Sequence, residues 1–224
     1  MMAANPTSKF PAPKSPSLVQ PVKFFGYFQS IWAHKSVGRR NRAKATSSGK
    51  LRLYLALYAR LKDPQTYHYA LHISPEEETI DPEICQTTKH HCKNILQSTG
   101  DTITIPWVYE AVKVNPNHDS RILVRILLGE ITQADLAERL FAEVEVIQGD
   151  PDFNCITWVH HALLRLHEAR VIGTAALFDW DNIQNTSLEY VQKKKQQGRF
   201  STRWEGDSSR VATFDMMLNR EITP

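Results

Sequence analysis

The stretch Gly149-Asp150-Pro151-Asp152-Phe153-Asn154-Cys155-Ile156-Thr157-Trp158-Val159 places a thiol where a helix begins. Gly-Asp-Pro-Asp reads as a turn, Asn154 is a good N-cap, and Cys155 falls at the first helical position. The first backbone N–H groups of a helix have no intrahelical partner, and the helix dipole is positive there. Such a position favours the thiolate, which is the nucleophilic form of cysteine. The N–H of Cys155 and those of its neighbours are also the kind of donors that hold an oxyanion during acyl transfer. Two features pull the other way. Free cysteine is among the most buried residue types and often merely packs. Asp150 and Asp152 would oppose a thiolate if they pointed inward.

A thiol nucleophile needs a base within reach. Tyr67-His68-Tyr69-Ala70-Leu71-His72 reads as a strand, with His68, Ala70 and His72 on one face and Tyr67, Tyr69 and Leu71 on the other. Ala70 leaves room for a helix on its own face, so the Cys155 helix is expected to meet His68. In that helix Trp158, Val159, Ala162, Leu163 and Leu166 form one stripe with Cys155, which turns the thiol inward. A third polar group usually orients the base. His91 is the candidate, with His90 left open because the phase of its strand is ambiguous. Each of these histidines also has an ordinary reading as a surface or hydrogen-bonded residue. The pattern is a poor zinc site: His90, His91 and Cys92 are adjacent and point to alternate faces, and no C-x₂-C or H-x₃-H spacing accompanies them. No phosphate-cradling Gly-rich loop and no Gly-x-Ser-x-Gly elbow occurs, and no cofactor is expected.

The elements that must position these residues follow from periodicity. Leu51, Leu53, Leu55 and Leu57 alternate as a strand, and a turn at Asp63-Pro64 leads into a second from Thr66 to Ile73, forming a hairpin. Pro75 to Gln86 is an acidic loop. Further strands are expected around His90 to Gln97, from Thr102 to Val114 and from Arg121 to Leu128. Helices follow: one capped by Thr132 and running to Glu145, one from Cys155 to Ala169, and one from Asn185 to Gln197 that presents Lys193-Lys194-Lys195 to solvent. Val211 to Met216 reads as an edge strand. About five strands followed by helices predict an α+β domain, with no internal repeat.

The 224 residues fit one domain, 51–224, behind a basic extension, 1–50. The first 62 residues hold 12 Lys or Arg and no Asp or Glu, whereas the remainder is net acidic. The Pro-, Ser- and Lys-rich start reads as a disordered tail. Phe24, Phe25, Tyr27, Phe28, Ile31 and Trp32 form a short aromatic segment inside it, suited to docking on the domain or on a membrane. The tail can contact acidic surfaces, nucleic acid being a less favoured partner, and its acid-poor composition is also that of organellar import signals. Three cysteines cannot build a disulfide framework, so a reduced, cytoplasmic setting is the simplest expectation.

The order of a histidine strand, a strand pair and then a helix opened by Asn154-Cys155 resembles the circularly permuted papain-like thiol hydrolases, of which the lecithin:retinol acyltransferase type is an example. Tyr67-His68-Tyr69-Ala70-Leu71 looks like their histidine strand, and Asn154-Cys155-Ile156-Thr157-Trp158-Val159 like their Asn-Cys helix start. More closely the chain resembles a group of fungal proteins with a Tyr-His-Trp-Ala-Leu strand, a following Tyr-His segment and an Asn-Cys-x-x-Trp-Val helix. This likeness spans roughly Leu51 to Leu166. It implies Cys155 as nucleophile, His68 as base and His91 as the third residue, although His90-His91 stands where Tyr-His belongs. The expected function is amide or ester hydrolysis or acyl transfer on a peptide, lipid or small-molecule substrate. The rival expectation is a non-catalytic interaction module on the same scaffold, held to a membrane or partner by its basic N-terminus.

Overall fold

A computed structural model describes residues 50–173 and 179–224. The expected tail and its aromatic segment lie outside the described residues. Leu51–Ala59 forms strand β1 and Tyr67–Pro75 forms β2, paired antiparallel with Leu55 opposite Leu71 and Tyr58 opposite His68. This is the predicted hairpin. Thr87–Asn94 is β3.

The strand expected over 102–114 is two strands. Gln97–Thr99 (β4) and Thr102–Thr104 (β5) make a small separate sheet, while Trp107–Val114 (β6) joins the main sheet beside β3. Pro106 lies at the break, where it has no N–H to give to a ladder. Ile122–Ile131 (β7), Ala212–Asp215 (β8) and Arg220–Thr223 (β9) complete a seven-stranded sheet in the order β6-β3-β2-β1-β7-β8-β9. β8 runs parallel to β7, and the other pairs are antiparallel. The C-terminal segment is therefore not an edge: β8 sits between β7 and β9. The fold is α+β, with a mostly antiparallel sheet larger than the five strands expected.

Three helices lie among the described residues: Ala134–Ala142 (α1), Cys155–Glu168 (α2) and Trp180–Gln196 (α3). None is long and apolar enough to cross a membrane. Thr132 does not cap α1. Gln133 takes that position without a side-chain bond, and Thr132 Oγ1 donates instead to the Val171 carbonyl at 3.0 Å. α3 begins five residues earlier than expected because Asp179 accepts from the Asn182 N–H and caps it there. Its lysine run is not wholly solvated. Lys194 is buried, ion-paired with Glu221 of β9 and set over the Tyr190 ring.

Which face of the sheet the helices cover decides the geometry of the site. Leu53, Leu55 and Leu57 of β1 and Tyr69, Leu71 and Ile73 of β2 form one core with Val124, Ile126 and Leu128 of β7. Trp158, Val159, Ala162 and Leu166 of α2 complete it. Ala56, Tyr58 and Ala70 form a separate small cluster on the opposite face. The expectation that α2 would approach the Ala70 face is thus corrected: α2 packs on the Tyr69–Leu71 face. The leucine row of β1 registers with that face, so packing there removes more apolar area from water than packing on the alanines would.

Candidate functional site

α2 begins where the sequence places it. Asn154 is extended (φ −157°), and its Oδ1 accepts from the N–H groups of Ile156 (2.8 Å) and Thr157 (3.4 Å). Gly149, at φ +75°, makes the preceding turn in a conformation that L side chains rarely adopt. Asp150 and Asp152 are exposed, and the Asp152 N–H donates to Asp150 Oδ1. Both carboxylates sit on exposed residues, away from the buried thiol. Replacing Asn154 with alanine is expected to cost about 1 kcal/mol, read as a lowered denaturation midpoint, while Asn154→Asp retains the cap. The cap also limits the oxyanion donors. Ile156 and Thr157 give their N–H to Asn154 Oδ1 and Trp158 gives its own to the Asn154 carbonyl, so of the first four N–H groups only that of Cys155 has no partner among the described residues.

Cys155 is fully buried, and its sulfur accepts a hydrogen bond from Arg60 Nη2 at 3.3 Å. No hydrogen bond runs from the thiol to His68. The other cysteines differ in kind. Cys85 is exposed, whereas Cys92 is buried on β3 and its thiol is pushed up to about 12 by burial and by the neighbouring Cys155.

His68 projects from the opposite sheet face into a linear chain. Its Nε2 lies 2.7 Å from His91 Nδ1, and His91 Nε2 lies 2.9 Å from Glu110 Oε2. Lys93 Nζ donates to both Glu110 oxygens at 2.8 Å. The network assigns the tautomers. A carboxylate only accepts, so His91 carries its proton on Nε2, its Nδ1 accepts from His68 Nε2–H, and His68 Nδ1 is left as the lone-pair nitrogen. Burial, then His91 and Arg60, push His68 down to about 3, and burial holds His91 down at about 4 against the opposing pull of Glu110. The hydrogen bonds from Lys93 and His91 hold Glu110 down at about 2. His90 is not part of this chain. It points to the helix side, bonding Tyr109 Oη through Nδ1 at 2.9 Å and packing on Phe141. The ambiguity between His90 and His91 is thereby resolved for the side chain that meets His68.

His72 lies farther along the same face, buried, with Nε2 2.9 Å from Tyr58 Oη and Nδ1 unpartnered, and burial sets its pKa well below the usual histidine value. Burial likewise pushes His90 down to about 4. All four histidines are neutral in the folded protein at pH 7. At these four positions the unfolded chain takes up protons near pH 6.5, whereas in the folded chain His90 and His91 do so at about 4, His68 at about 3, and His72 well below the usual histidine range. Stability therefore falls as pH drops through that window, by about 1.4 kcal/mol per pH unit for each proton taken up on unfolding. Urea midpoints measured at pH 7 and pH 5 are expected to show this loss, and equal midpoints would contradict the burial of neutral imidazoles.

A cleft of about 460 Å³ opens at this end of the sheet. Arg60, His68, Lys93, Trp107 and Asn154 are among its lining residues, so it borders both the His68 chain and the start of α2. Arg60, Glu110 and Lys93 are members of the candidate site that the sequence did not single out. Glu110 is set opposite His91 by the antiparallel register of β3 and β6, which no local pattern in the sequence marks. Arg60, just past β1 in the hairpin loop, is not marked by one either. Among the described residues no group of three or more His, Cys, Asp or Glu is arranged to hold a metal ion.

No curated protein and no solved structure matches the chain. A family model described as a family of unknown function (DUF6914) matches residues 50–223, which covers the sheet, the His68 chain and the Cys155 helix start together. The chain therefore belongs to the DUF6914 family.

Proposed function

We propose that the domain is a thiol-dependent amide or ester hydrolase or acyltransferase of permuted papain-like type, acting in the cytoplasm. The observation that carries this reading is a cleft lined by Asn154, the cap of the Cys155 helix, by Arg60, which donates to the Cys155 sulfur, and by a histidine backed by His91 and Glu110. Turnover requires the sulfur to leave Arg60 and turn into the cleft. Its proton passes to His68 Nδ1, and the sulfur bonds to the acyl carbon. The oxyanion so formed is held by the Cys155 N–H. Collapse breaks the bond to the leaving alcohol or amine, which receives the proton from His68. Water or an acceptor alcohol or amine then bonds to the acyl carbon and gives its proton to His68, and the C–S bond breaks as that proton returns to the sulfur.

A second reading, a non-catalytic binding module, is favoured by a specific observation: the thiol is fully buried on the helix side while His68 belongs to the reverse face. Site-resolved labelling with iodoacetamide at neutral pH separates the two. The exposed Cys85 is an internal reference. The enzyme reading expects Cys155 to label faster than Cys85 despite its burial, and to slow in His68→Ala. Labelling of Cys85 alone would favour the module.

A further inference from the structure

The lining of the cleft has a one-sided charge. Arg60, Lys62, Lys93 and Arg121 contribute to it, and no Asp or Glu does. Two of these cations are matched from outside the cleft: Lys93 by Glu110 at 2.8 Å and Arg121 by Asp119 at 3.8 Å. Arg60 and Lys62 have no carboxylate partner among the described residues, and Lys62 is exposed in the β1–β2 loop. The field of this set is felt nearby, since Arg60 and Arg121 both help to hold His68 in its neutral form. Trp107 adds an aromatic wall. A concavity of about 460 Å³ is large enough for a small molecule. Like charges gathered around a concave surface focus a potential that concentrates ligands of the opposite sign.

We infer that this cleft binds an anionic oxygen group, a carboxylate or a phosphate, and that, resting on the thiol chemistry proposed above, this group is carried by the acyl substrate. Arg60 is suited to grip the anion through two parallel N–H donors, and Lys62 and Arg121 act as point charges at the mouth. An anion drawing Arg60 into the cleft would also take its donor away from the Cys155 sulfur, which links occupation of the cleft to release of the nucleophile.

The test uses the full chain and two separate readouts. Calorimetric titration of the Cys155→Ser protein with glutarate and with inorganic phosphate is expected to show binding of at least one of them, weakened tenfold or more in Lys62→Glu. Which anion binds tells the carboxylate source from the phosphate source. Binding of neither anion, or binding unchanged in both Lys62→Glu and Arg121→Glu, overturns the anion site. Turnover is read with two esters of equal acyl length, the 4-nitrophenyl monoester of glutaric acid and neutral 4-nitrophenyl pentanoate. A tenfold or greater preference in kcat/KM for the charged ester, lost in Lys62→Glu, supports a substrate-borne anion. Equal use of the two esters overturns that part. Anion binding that depends on Lys62, with neither ester turned over, leaves the anion site standing and overturns the thiol chemistry instead.

Discussion

Cys155→Ser is expected to reduce turnover of 4-nitrophenyl pentanoate by about 10³-fold or more, and His68→Ala by about 10²- to 10⁴-fold. The two losses should not multiply in the double variant, because nucleophile and base act as one unit. A serine hydroxyl is close to isosteric and can still accept from Arg60, so the fold should survive. Circular dichroism and a denaturation midpoint near that of the parent would establish this. His68→Ala removes the donor to His91 Nδ1 but leaves the His91–Glu110 bond intact. A loss in Cys155→Ser without one in His68→Ala would mean that the imidazole on the reverse face never reaches the sulfur. His91→Gln is expected to give a smaller loss than His68→Ala, since His91 orients the base and does not touch substrate. Unchanged rates in all of these variants would favour the binding module.

The largest stability effect is expected away from the cleft, on the same reverse face. Arg125 Nη1 and Nη2 donate to Glu78 Oε1 (2.6 Å) and Oε2 (2.8 Å), and the two side chains are only 6% and 9% exposed. The guanidinium also lies over the Tyr54 ring at 4.5 Å, while its Nε has no partner. Removing one partner of such a pair strands a charge that cannot reach water. Glu78→Ala should therefore cost about 3–5 kcal/mol, read from urea unfolding at pH 7. Removing both charges, as in Glu78→Leu with Arg125→Met, should cost much less, because the penalty comes from the stranded charge and not from the loss of attraction. Equal destabilisation by the single and double variants would show that the pair matters through packing alone.

The pair also shows how the acidic loop over residues 75–86 is used. It reads in sequence as an acidic loop, and it folds Glu78 back onto the sheet, where Ser74 and Arg125 meet it. Nothing in the local pattern marks Glu78 apart from Glu76 and Glu77. Only the position of Arg125 on β7, two strands away from β2, singles it out.

Features that depend on neighbours along the chain were legible in the sequence. The start of α2 follows from Asn154, the turn before it and the apolar stripe behind it, all within about fifteen residues. The β1–β2 hairpin follows from alternation on either side of Asp63-Pro64. Periodicity put His68 on one face of its strand but left the next strand open between His90 and His91, and only the side-chain contact in the folded sheet sets His91 against His68. What alternation cannot assign is which face a helix will cover. Both faces of β2 hold groups that can be buried, tyrosines and leucine on one side and alanine with two histidines on the other. The choice fell to the leucines of β1, which register with the Tyr69–Leu71 face and make it the larger apolar surface. That single choice set the Cys155 sulfur on one side of the sheet and the His68 chain on the other, joined only at the cleft by Arg60. The parallel pairing of β8 with β7 and the placing of Glu110 beside His91 were likewise decided by pairing between segments apart in the chain. The chain by itself determined a thiol at a helix start and a histidine strand. Long-range packing, which sums apolar area over the whole sheet, decided how the two face each other.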